Sequence, residues 1–150
     1  MNKKIIYPFL AMLLGLGVIY LFLFNNSYKE SLKAKFYYTM GDYQKAYTLS
    51  REVYLKNSYN TMALTIMTQS KIALEYEKYI QEAQKYLKEI EKISNSKKIS
   101  KKDMVKIKLL CEVAMGDYKR LKPSILDNKL SEKAAKLYKK FEKIYEELFR

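Results

Sequence analysis

The chain has no histidine, no tryptophan, one cysteine, two prolines and four glycines in 150 residues. Each shortage excludes a chemistry. Without imidazole there is no Ser–His or Cys–His nucleophile pair and no His-bearing zinc site. The single thiol, Cys111, allows neither an internal disulfide nor a four-thiolate metal site. Few glycines leave little for a phosphate-cradling loop, and neither G-x-G-x-x-G nor G-x-x-x-x-G-K-[ST] occurs. Arginine is also scarce. Only Arg51, Arg120 and Arg150 are present, so the net charge of +13 is almost entirely lysine. Nucleic-acid surfaces draw on guanidinium forks for phosphates and base edges, and a diffuse lysine excess lacks them. The carboxylate pairs Glu75/Glu77 and Glu146/Glu147 do not face each other on a helix, so they offer no acid–base pair. These absences predict a protein that is not an enzyme, binds no metal or cofactor and takes no nucleic acid.

What is present begins with residues 5–24, a run of 20 without a charge. As an α-helix that run spans about 30 Å, the thickness of a bilayer core. Tyr7 and Tyr20 lie near its ends, and Pro8 falls in the first turn. The reading is a single transmembrane helix after a short tail, residues 1–4. A cleaved signal peptide is the alternative. It fits less well, because the run is long and no small-residue cleavage site follows it. Lys3 and Lys4 favour an inside N-terminus. That predicts an inner-membrane location with the remaining chain periplasmic or otherwise outside the cytoplasm.

From Ser27 onward the apolar spacing is 3 and 4, which predicts an all-α fold. Ser27-x-x-Glu30 reads as a capping box opening the first helix, and Gly41 as its stop. Asp42 then caps a second helix with the stripe Tyr43, Ala46, Tyr47, Ser50, Val53 and Tyr54. A third helix is expected over about 61–75 and a fourth over about 78–94, with Glu75-Tyr76-Glu77 as a polar connection. A fifth follows over about 101–115 and ends at Gly116. A short sixth begins at Asp117 and is broken by Pro123. The last, over about 131–149, carries Ala134, Leu137, Tyr138, Phe141, Ile144, Tyr145 and Leu148. Cys111 falls on an apolar stripe, as an inert buried thiol would.

A repeat underlies this pattern. Met40-Gly41-Asp42-Tyr43 recurs as Met115-Gly116-Asp117-Tyr118, and Ala83 repeats the place of Ala46. Gly41, Asp42, Tyr43 and Gly116, Asp117, Tyr118 are therefore read as turn residues. The first unit, with Ala34, Tyr37, Gly41-Asp42-Tyr43, Ala46 and Val53, resembles a tetratricopeptide repeat (TPR). The resemblance covers 27–126 and implies an α-solenoid of about three helix pairs, closed by a capping helix at 130–150. The later units depart from the pattern, with Leu121 where a small residue belongs and Pro123 inside a helix. A generic antiparallel bundle is the alternative fold.

The resemblance also implies a concave peptide-binding surface, lined here by Lys35, Tyr38, Gln69, Lys106 and Val113. Lysine mixed with apolar side chains suits an acidic or extended, partly apolar peptide. Such architecture resembles membrane-anchored scaffold subunits of bacterial envelope complexes, such as translocons, flagellar motors or secretion machines. The alternative is a membrane-apposed binder of anionic lipid or another polyanion, through the lysine surface and the Lys97-Lys98-Ile99-Ser100-Lys101-Lys102 loop.

Overall fold

The structure is a computed structural model that describes residues 7, 8, 10–17, 26–96, 98–125 and 128–149. The fold is all-α, and no strand occurs among the described residues. Five helices follow a helical stretch at residues 10–17: α1 (Asn26–Thr39), α2 (Tyr43–Lys56), α3 (Thr61–Ser94), α4 (Lys101–Arg120) and α5 (Asn128–Phe149). The chain divides into two compact units, Met1–Ser70 and Lys71–Arg150, and the division falls inside α3.

In the first unit α1 and α2 form a hairpin. The turn is made at Gly41, whose φ of 81° is costly for any residue with a Cβ. The Gly41 amide donates to the Tyr38 carbonyl (3.0 Å) and the Asp42 amide to the Tyr37 carbonyl (2.9 Å). This pair of bonds is a Schellman closure, which satisfies carbonyls at the end of α1. Asp42 then caps α2, accepting from the Lys45 amide at 3.1 Å. Ala34 and Ala46 are fully buried between the helices, beside Ser50 and Val53, and small side chains there permit close approach. Tyr38 meets Tyr43 edge-on at 5.2 Å between ring centroids.

The same unit holds a buried polar cluster. Asn60 is fully buried, and its Oδ1 accepts from the Ala63 amide (3.0 Å), which caps α3. Its Nδ2 donates to Ser27 Oγ (2.8 Å) and Ser31 Oγ (2.9 Å), while Asn57 Nδ2 reaches Ser27 Oγ at 3.3 Å. Ser27 therefore lies inside α1 and ties it to the start of α3, instead of capping a helix as its spacing from Glu30 predicted.

In the second unit the later part of α3 packs with α4 and α5 around Ile80, Ala83, Ile107, Cys111, Leu137 and Phe141. α4 starts with a reciprocal capping box: Ser100 Oγ accepts from the Asp103 amide and the Asp103 carboxylate accepts from the Ser100 amide. The hydrogen bonds hold the Asp103 carboxyl below its ordinary pKa.

Three further expectations are corrected. The connection at Glu75-Tyr76-Glu77 does not exist, since α3 runs unbroken for 34 residues. Those residues include no helix breaker, and Tyr76 is buried, so the helix gains by continuing. The turn expected at Gly116, Asp117 and Tyr118 is absent as well, because α4 continues through all three to Arg120. Pro123 disfavours helical backbone at Lys122. A helix begun at Asp117 would have held only about one turn, too short to stand on its own. Without these two turns there is no array of three helix pairs among the described residues, and two compact helical units stand in place of the tetratricopeptide solenoid with its capping helix.

The third correction concerns residues 5–24. Residues 10–17 are helical and exposed, whereas 5, 6, 9 and 18–24 lie outside the described residues. Among the described residues no helix is long and apolar enough to cross a membrane. The longest helix, α3, is studded with charges from Lys71 to Lys92. The transmembrane anchor is therefore withdrawn, and so are the inner-membrane, periplasmic and single-pass placements drawn from it.

Candidate docking face

α4 has one face in the core and one that nothing covers among the described residues. Ile107, Cys111 and Ala114 are at most 1% exposed. Across the helix Val105, Leu109 and Val113 recur every four residues and remain 67%, 57% and 37% exposed. A spacing of i, i+4 and i+8 sets them in one ridge about 12 Å long. At 100° per residue Lys101, Lys108 and Glu112 fall along one edge of the ridge, Lys106 along the other, and Lys102 in line with the ridge at its N-terminal end.

The edges are partly fixed in place. Lys106 Nζ lies 2.7 Å from Glu89 on α3, and this hydrogen-bonded lysine holds the Glu89 carboxyl below its ordinary pKa. Lys108 Nζ lies 6.0 Å from the ring centroids of Tyr145 and Phe149 on α5, at the outer range of a cation–π contact. The Tyr145 hydroxyl donates to Glu112 at 3.2 Å. Beneath the face, burial pushes the Cys111 thiol up to about 11.

A tyrosine ladder fills the other end of this unit. Tyr79 stacks near Tyr118 at 5.8 Å, and Tyr118 near Tyr138 at 4.7 Å. Burial raises the Tyr79 phenol pKa well above its usual value, and its hydroxyl has no hydrogen-bond partner among the described residues. A neighbouring hollow of about 380 Å³ is bordered by Tyr76, Tyr118, Lys119 and Pro123. No group of three or more metal-ligating side chains occurs among the described residues.

The five residues expected to line one groove are placed differently from one another. Tyr38 and Gln69 are buried in the first unit, at 7% and 5% exposure, where they present almost no surface. Lys35 is exposed on α1. Lys106 and Val113 both belong to the outer face of α4, within one ridge and its edge. Sequence reasoning missed Val105 and Leu109. Their signal was available, since both keep the four-residue spacing of Val113 on the side away from Ile107.

Comparison with protein-family models, with curated proteins and with solved structures finds no match for this chain, so the tetratricopeptide resemblance gains no support there either.

Proposed function

We propose that this chain is a non-catalytic docking module that binds an acidic, partly apolar segment of a partner protein. The observation that supports this reading is the exposed ridge of Val105, Leu109 and Val113 with Lys101, Lys102, Lys106 and Lys108 around it. Apolar side chains exposed in one line on a helix are costly to leave in water, and a partner recovers that free energy by covering them. The flanking lysines select the sign of the partner's charge and speed its approach. An amphipathic helix with carboxylates beside its apolar stripe meets both requirements.

The test uses the full-length chain and a fluorescein-labelled acidic amphipathic peptide, followed by anisotropy. The parent chain is expected to bind, and Leu109→Asp to lose the share of binding that belongs to the α4 face, by about tenfold or more at that site. Reversing Lys101 and Lys102 to Glu is expected to slow association and weaken the salt dependence. A titration curve unchanged by Leu109→Asp, in amplitude as well as in midpoint, would overturn the reading. In that case any binding would lie off the α4 face, at another surface or spread over the lysines.

A further inference from the structure

The first unit carries a ridge of its own that nothing covers among the described residues. Leu32 and Phe36 on α1 and Met40 just past its end recur every four residues and are 44%, 60% and 70% exposed. Ser31, Ala34 and Tyr38 face the opposite way and are buried. The outer ridge is thus the half of α1 that its own core does not use. Lys33 lies along one edge and Lys35 along the other, both exposed.

Beyond the Lys33 edge the ridge meets a hollow of about 290 Å³ between α1 and α2. Its lining includes Tyr37, Leu49, Thr48 and Glu52, with Lys45 beside it. Lys45 lies 5.5 Å from the Tyr37 ring centroid and pairs with Asp42 at 2.9 Å, so the near wall is held by identifiable contacts. An apolar ridge that runs into a side-chain-sized hollow is the surface a helix needs in order to seat one large residue and lay others alongside.

We infer that α1 is a second docking surface, with an acidic amphipathic helix of a partner protein as its occupant. Charge selects this occupant over a second copy of the chain. A two-fold pairing of α1 ridges would bring the Lys33 and Lys35 edges of both copies together, and such like-charge contacts are unfavourable. A partner helix with carboxylates flanking its apolar stripe would place opposite charges there instead. The inference rests on reading the chain as a docking module, but it uses different residues, in a different unit, from the α4 face.

Stoichiometry separates the two. Titrating the full-length chain calorimetrically with the acidic amphipathic peptide is expected to give two sites. Phe36→Asp and Leu109→Asp are each expected to leave one, and the double variant none. A single site lost in Leu109→Asp and unaffected by Phe36→Asp would overturn this inference and leave the α4 reading standing. A single site lost in Phe36→Asp alone would do the reverse. No binding at all would overturn both. Phe36 is exposed, so its variant should keep the parent circular-dichroism melt. The paired reversal Lys33→Glu with Lys35→Glu gives a check independent of the apolar residue. It is expected to remove one site for the acidic peptide and create one for a basic peptide of the same apolar pattern.

Discussion

At Gly41 the backbone enters the left-handed region, at φ 81°, whereas Gly116, in an identical tetrapeptide, sits inside a helix. The two positions therefore predict opposite outcomes. Gly41→Val forces a β-branched residue into a conformation costing about 1–2 kcal/mol, and the first unit should lose roughly that much stability. Gly116→Ala adds a methyl that meets no atom within 4 Å, so no clash offsets the gain in helix propensity. A stabilisation of about 0.5–1 kcal/mol is expected. Midpoints of chemical denaturation should move down for the first variant and up for the second. Two shifts of the same sign would contradict the assigned backbone states. Glycine permits a turn without imposing one. The flanking chain decides, through room for a full second helix after Gly41 and a proline seven residues after Gly116.

Among the elements, α3 carries the sharpest consequence, because its middle had read as a connection. If residues 75–77 are helical, Glu75→Pro removes an internal hydrogen bond and clashes with the preceding turn, at a cost of about 3 kcal/mol. Helicity and thermal stability should both drop, and an unchanged melt would restore the connection. The helix faces were legible because periodicity is a local property: Ala134, Leu137 and Phe141 announce their burial by spacing alone. The continuity of α3 was not legible. It depends on Tyr76 finding a core to enter, and that core is assembled from α4 and α5. The Asn60 cluster was hidden for a similar reason, since its acceptors Ser27 and Ser31 lie about thirty residues away in the chain. Lys106 and Val113 could be named as surface residues, but Tyr38 and Gln69 could not be excluded. Whether an aromatic at helical spacing lines a groove or fills a core is decided by the helix placed against it.

For the molecule as a whole, the absence of histidine shapes the response to pH. There is no imidazole to titrate near neutrality. Asp42, Glu89 and Asp103 have carboxyl pKa values held below the ordinary range by Lys45, Lys106 and Ser100 respectively. Groups depressed in this way contribute above the unfolded carboxylate pKa, and the contribution is lost as pH falls through the folded value. At the alkaline end Cys111 behaves in the opposite sense. Its thiol stays neutral in the fold up to about 11, against 9.0 when exposed, so stability is intact below 9 and declines as pH rises toward 11. Melts followed by circular dichroism should be level between about pH 6 and pH 8 and fall below about pH 4. A pronounced step near pH 6.5 would contradict this account.

The lone thiol has one more use. Cys111 is sealed under the α4 ridge with no exposed surface, and no other sulfhydryl competes for a reagent. Its rate of alkylation under native conditions therefore clocks how often the Lys71–Arg150 unit opens, while the Met1–Ser70 unit stays silent. A peptide that clamps the outer face of α4 should slow that clock, and one seated only on α1 need not.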